Sequence, residues 1–168
     1  MSRNGTPNHL RVGTGYDVHP LRAGRELVIG GVHIPHSTGL DGHSDADVLT
    51  HAVIDALLGA AGLGDIGAHF PPSEERYKGA SSLDLLGEAA RVVGNAGYRV
   101  VNVDSTVIAQ APRLRPHLEE MTHNIANKLG LDRGAVSVKA TSPEGIGPLG
   151  SGEGIAAQAV ALIEESRS

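Results

Sequence analysis

The chain has 168 residues, 40% of them apolar, which is enough for a real core in a single domain over residues 10–168, behind a loose polar tail at 1–9. Its formal charge of −5 argues against broad nucleic-acid binding, and the lack of Cys removes disulfides and thiolate chemistry, as a reducing cytosol permits. No stretch reaches the ~18 apolar residues of a membrane span, and the tail lacks the apolar run of a signal peptide.

Taken in chain order, residues 10–18 read as a strand in which Gly13 and Gly15 allow close backbone approach. Residues 26–34 read as a small hairpin turning at Gly30-Gly31. Residues 46–60 read as a helix with Ser44 or Asp45 as N-cap and an apolar stripe of Val48, Leu49, Ala52, Val53, Ala56 and Leu57. Asp47, His51 and Asp55 share a second stripe of that helix. A Gly-rich stretch at 62–67 ends it, and 70–79 is loop. A second helix spans about 83–95, with Ser81 and Asp84 as a box-like start and Gly97 as a stop. Residues 98–109 form the clearest strand, with Val101, Val103, Val107 and Ala109 on one face. After a turn at 111–116, a third helix carries Leu118, Met121, Ile125 and Leu129 and stops at Gly130. Residues 135–140 are a short strand, and 154–164 fits either strand or helix, being weakly alternating and Ala-rich. This order suits an α+β layer of sheet and helices.

Asp17 and His19 project from one face of the first strand, and His51 on the first helix is the natural third partner. Two imidazoles and a carboxylate form a recurring catalytic zinc set with an open coordination position. Asp47 and Asp55, four residues either side of His51, are placed to orient its ring. The competing reading makes Asp17 and His19 strand-end residues and His51 a half-buried helix residue. His43 and Ser44 precede the helix, where an anion or a plain cap fits. The loop 141–154 is rich in Gly, hydroxyls and carboxylates, and its Glu144 reads either as a ligand to a hard cation beside phosphates or as a solvated side chain.

Several motifs stand in a specific order: Gly15-Tyr-Asp-Val-His19, His43-Ser-Asp-Ala-Asp47 with His51, Leu63-Gly-Asp-Ile-Gly67, Tyr77-Lys-Gly79, Ala109-Gln-Ala-Pro112, Lys139-Ala-Thr141 and Gly152-Glu-Gly154. Through them the chain resembles, from about Arg11 to Ile163, the 2-C-methyl-D-erythritol 2,4-cyclodiphosphate synthases of the non-mevalonate isoprenoid pathway. The resemblance implies a mixed β-sheet covered by helices on one side, a small hairpin, and sheets packing together in a homotrimer with active sites at subunit interfaces; the lack of a transit peptide fits a cytoplasmic protein, and a mature plastid protein would read the same. It implies one Zn2+ per subunit on Asp17, His19 and His51, and Mg2+ or Mn2+ bridging the substrate phosphates with Glu144. The implied substrate is 4-diphosphocytidyl-2-C-methyl-D-erythritol 2-phosphate, whose 2-phosphate attacks the β-phosphorus to close a ring and release CMP.

In the same resemblance His43 and Ser142 stand near the transition state, with Ser44 at the phosphates and Thr141 among the substrate contacts. Asp65, Ile66 and Gly67 hold the methylerythritol hydroxyls, and Phe70 and Glu74 belong to a substrate loop. Ala109, Pro112, Arg113, Leu114 and Arg115 form the cytidine pocket. The closing segment becomes a strand. Three positions depart from the family pattern. Phe70-Pro-Pro-Ser-Glu74 replaces Phe-Pro-Asp-Thr-Asp, Ser142 replaces a Thr, and Pro148-Leu-Gly-Ser-Gly152 replaces Phe-Thr-Gly-Arg-Gly. The last removes the aromatic and Arg that line a central trimer cavity, so an isoprenoid diphosphate should bind there weakly or not at all. Two rival functions use the same residues: a zinc phosphohydrolase with a metal-bound water, and a trimeric nucleotide-binding protein without turnover.

Overall fold

The computed structural model describes residues 9–166, so most of the expected tail lies outside the described residues. The strands are β1 (Leu10–Ala23), β2 (Leu27–Ile29), β3 (Val32–Ile34), β4 (Thr38–Leu40), β5 (Tyr98–Ile108), β6 (Val136–Thr141) and β7 (Gly154–Glu165). The helices are α1 (Val48–Ala61), α2 (Ile66–His69), α3 (Ser82–Asn95), α4 (Leu118–Leu129) and α5 (Gly147–Gly150). Five strands form a mixed sheet in the order β4-β1-β7-β5-β6, while β2 and β3 pair with each other. The single parallel pair, β5 with β6, is joined through α4, as a parallel connection requires a crossover.

The ambiguous closing segment is the central strand. β7 pairs antiparallel with β1 on one side and β5 on the other, so its backbone groups are satisfied by neighbours in a way a helix there would forgo. Its Ile155, Ala157, Ala159, Ala161 and Ile163 alternate into the core. The small alanines make room for α1, which lies across β7 and β1. On β1 the fit is closer still: a Cβ at Gly13 would stand 2.1 Å from the Ala56 carbonyl oxygen, and one at Gly15 1.9 Å from that of Ala52. Only glycine permits this contact of helix and strand backbones, and it sets His51 directly over Asp17.

α1 is buried nearly all round, with twelve of its fourteen residues inside, because α3 packs against it from the side away from the sheet. A stripe alone therefore under-describes it. Its N-cap is Asp47, rather than Ser44 or Asp45: the Asp47 side chain accepts from Thr50 N at 3.0 Å. Asp47 also accepts from Gly30 N at 2.8 Å and Gly31 N at 2.7 Å, tying the β2–β3 turn to the start of α1. Ser81 makes no side-chain cap on α3; the carboxylate of Asp45 accepts the Ser82 N–H at 2.9 Å instead.

Two strands differ from the sequence reading. β1 runs past residue 18 to Ala23, and Pro20 is tolerated where β1 leaves β7 and begins to pair with β4. In β5 the register to β7 shifts between Val100 and Asn102, so Val100, and not Val101, shares the core face with Val103 and Val107. A bulge of one residue reverses every side chain before it. Among the described residues no helix is long and apolar enough to cross a membrane.

Candidate active site

The middle of β1 and the first turn of α1 bring together Asp17, His19 and His51. His19 Nε2 lies 2.9 Å from Asp17 Oδ2, His51 Nδ1 lies 3.0 Å from the same oxygen, and the two ring nitrogens are 3.3 Å apart. A tetrahedral ion with bonds of about 2.0–2.1 Å holds its ligand atoms roughly 3.3 Å apart, so this triangle is close to the size required. The outer ring nitrogens support the same orientation. His19 Nδ1 is 2.8 Å from the Asp41 carbonyl, which can only accept, so Nδ1 carries the proton and Nε2 turns its lone pair inward. Three electron-rich atoms facing one point call for a cation. Without an ion the rings can serve Asp17 only through inward N–H groups: burial disfavours its carboxylate, but those hydrogen bonds and the attraction to His19 and His51 outweigh that and hold it well below the usual carboxylate range, a role a bound cation would take over. Burial likewise opposes charge on His19, and Asp17 overrides it to raise the imidazole. The residues fit a divalent metal with nitrogen and oxygen preference.

The expected orienting carboxylates do not reach His51. Asp47 is spent on the hairpin turn and the helix cap, and Asp55 accepts from Ile66 N at 2.7 Å. His51 Nε2 instead meets two hydroxyls, Ser82 Oγ at 2.8 Å and Ser44 Oγ at 3.1 Å. Sequence reasoning missed Ser82; its only signal was a hydroxyl at the start of a helix, which reads as a cap.

A cleft opens over the triad. It is lined by Asp17, His19, His43, Ser44, His51, Ile66, Gly67 and Phe70, all predicted, and by Pro72, Tyr77 and Leu85. Phe70 meets Tyr77 edge-on with ring centroids 5.5 Å apart, giving this cleft a rigid apolar wall. Two expected members lie outside that lining. Asp65 caps α2 by accepting from Ala68 N at 2.9 Å, and Glu74 pairs with Arg76 at 2.6 Å.

A second cleft sits where β5 and β6 end. Ala109, Pro112, Arg113, Leu114 and Arg115 line it together with Gln110, Ala111, Ala140, Thr141 and Ser142, so within one subunit Ser142 stands in a different cleft from His43, the residue it was expected to act beside. Leu114 is core, so what it offers the cleft is backbone. Glu144 stands just beyond, at φ 55°, with its N–H donated to Ser142 Oγ at 2.9 Å. The next N–H, of Gly145, is held by Gln110 Oε1 at 3.0 Å. The two clefts share no residue.

Comparison with known proteins gives a consistent picture. The YgbB family model matches residues 10–164. The 2-C-methyl-D-erythritol 2,4-cyclodiphosphate synthase of Syntrophomonas wolfei is 60% identical over 157 residues, covering 94% of this chain and all of that protein. Among solved structures, the bifunctional IspDF of Campylobacter jejuni superposes with a TM-score of 0.90 at 40% identity; the match covers 94% of this chain and 43% of that one. The CDP complex of Plasmodium falciparum IspF superposes with a TM-score of 0.83 at 32% identity, covering 96% and 100%.

Proposed function

The chain belongs to the YgbB family, and we propose that its two clefts carry, between subunits, the reaction of that family's cyclodiphosphate synthases. The protein is a phosphorus–oxygen lyase of non-mevalonate isoprenoid precursor synthesis. It converts 4-diphosphocytidyl-2-C-methyl-D-erythritol 2-phosphate to 2-C-methyl-D-erythritol 2,4-cyclodiphosphate and releases CMP. The observation that carries the site assignment is the convergence of Asp17, His19 and His51 in a chain so close to named synthases.

The attack is intramolecular, so the main task is holding a folded, near-attack shape. Asp17, His19 and His51 would hold Zn2+, and Glu144 would hold Mg2+ or Mn2+ with the substrate phosphates. When bound, these ions neutralise and align two anionic groups that otherwise repel. His43, Ser44, Thr141 and Ser142 place donors around the phosphates. Backbone groups of Ala109 to Arg115 read the base while Pro112 packs on it, and Asp65, Ile66 and Gly67 take the methylerythritol end. Glu74 is proposed as a contact of the substrate loop, reached once it releases Arg76. Ile66, Phe70 and Leu85 give the cleft an apolar side, which would favour cyclisation over hydrolysis by offering an attacking water no partner there.

Because the two clefts share no residue, a complete site is best made by two copies. The open face of the sheet supports that arrangement, and the proposed assembly is a cytoplasmic homotrimer of one-domain subunits covering residues 10–168. Pro148 and Ser151 stand where many relatives of this kind carry an aromatic and Arg, so no tight isoprenoid diphosphate site is proposed on its axis.

The test is ³¹P NMR of the protein with the cytidine substrate and Mg2+, beside Asp17→Ala. Two coupled resonances of a cyclic diphosphate plus CMP, lost in the variant, are expected. Orthophosphate or a linear diphosphate would support the hydrolase reading instead.

A further inference from the structure

The metal-facing ring of His51 sits at one end of a hydrogen-bonded chain that the reaction itself does not use. Its Nε2 is 2.8 Å from Ser82 Oγ, and Ser82 Oγ in turn bonds the carboxylate oxygen Oδ1 of Asp45. Asp45 is fixed from three sides. Its Oδ2 accepts the Ser82 N–H at 2.9 Å, its Oδ1 accepts the Asp47 N–H at 3.2 Å, and its own N–H donates to the Ala80 carbonyl at 3.1 Å. Ser82 is fully buried, and no buried side-chain polar atom among the described residues lacks a partner.

The direction of each bond follows from chemistry. An ionised carboxylate only accepts, so the Ser82 hydroxyl must donate its one proton to Asp45. What Ser82 then offers His51 is a lone pair, and only an N–H can meet it. Nε2 therefore carries a proton, so in the neutral ring Nδ1 is the nitrogen that turns a lone pair toward Asp17 and His19. Resting on the metal-centre reading above, we propose that Asp45 and Ser82 are positioning residues. Together they lock His51 in the tautomer and ring orientation that makes Nδ1 a metal ligand. A carboxylate one hydroxyl removed takes the place of the direct carboxylate partner that ligating histidines commonly have.

The same chain joins the metal ligand to the phosphate-facing loop. Gly79 N donates to the His43 carbonyl at 2.9 Å, beside the Asp45–Ala80 bond, so residues 43–45 and 79–82 run clasped together. Ser44 Oγ stands 3.1 Å from His51 Nε2 and 3.4 Å from Ser82 Oγ. The orientation of the His51 ring and the position of the 43–45 loop are thus set by one network.

The test uses the full chain stripped of metal and reloaded with zinc, comparing parent, Ser82→Ala and Asp45→Asn. Two readouts are taken: zinc affinity by chelator competition, and the His51 tautomer from long-range ¹H–¹⁵N spectra of metal-free protein. The parent should show His51 protonated at Nε2. Ser82→Ala should weaken zinc by about 10- to 100-fold, the range for partners of metal-bound histidines. It should also mix the His51 tautomers, while backbone spectra stay those of a folded chain. Asp45→Asn, which can donate to Ser82 and turn its hydroxyl toward Nε2, should shift the tautomer further. Zinc affinity within twofold of the parent in Ser82→Ala, with Nε2 still protonated, would overturn the proposal. If the parent takes up no zinc, the metal-centre reading fails; the relay then stands or falls on the tautomer alone.

Discussion

At the scale of single residues, Asp47 shows how a side chain with an attractive chemical reading can serve the fold instead. Four residues before His51, it suits the part of a carboxylate behind a metal ligand. Its oxygens are taken by Gly30 N, Gly31 N, Thr50 N and the Thr50 hydroxyl, all at 2.7–3.0 Å in a fully buried setting. Asp47→Ala would orphan these donors together, at about 1–3 kcal/mol for each one left buried and unpaired. The variant is expected to lose at least about 3 kcal/mol in urea unfolding. Loss of metal affinity alone, with stability intact, would show that Asp47 acts on His51 after all. The contrast with Asp17 and His19 is instructive. Those two were legible because a strand repeats every two residues and both must share a face. The Asp45–Ser82–His51 chain was not, since its members come from three separate segments and meet only through tertiary packing.

At the scale of elements, the sequence carried the strand and helix content because the apolar periods are clear in α3, α4 and β5. It failed where a neighbour decides. Nothing local marks the Val100–Asn102 bulge, and the Ala-rich β7 becomes a strand only because β1 and β5 flank it. The two glycines of β1 were correctly read as a close approach, though not which helix approaches. The segment from Ser142 to Glu153, a loop interrupted by the short α5, is held at its start by one long contact. Gln110 Oε1 holds the Gly145 N–H, next to the left-handed Glu144, and so links this loop to the turn that ends β5. Gln110→Ala removes that tie at an exposed site. Stability should change by less than about 1 kcal/mol, the net value of one hydrogen bond. Turnover should fall about tenfold with a raised Mg2+ requirement, because the carboxylate proposed to hold that ion loses its fixed backbone. A steady-state titration of Mg2+ checks it; an unchanged requirement would mean that Glu144 is positioned by Ser142 alone.

At the scale of the whole molecule, the sheet has helices on one face only. Its other face presents Val12 at 66% exposure, Tyr16 at 59%, Val18 at 48% and Val160 at 38%. Three of these lie on alternate positions of β1, and Thr14 between them pairs with Val160, so the patch is continuous across β1 and β7. A contiguous apolar patch on a sheet face is a surface built to be covered. Packing such faces around a closed symmetric axis buries them without leaving an open end. That arrangement also gives the two separate clefts a way to meet, one from each neighbour. Val160→Glu puts a charge into the patch, in the same row as Thr14 and beside the Asp104–Lys139 ion pair. The metal triad lies on the opposite, helix-covered face, and should be untouched. If the proposed assembly and metal centre hold, the variant is expected to sediment as a monomer and to lose cyclisation by at least about a hundredfold, the cost of separating groups proposed to act as one site, with its zinc affinity unchanged. A parent chain that turns over fully as a monomer at micromolar concentration would refute the shared site, and would require both clefts of one subunit to reach the same substrate.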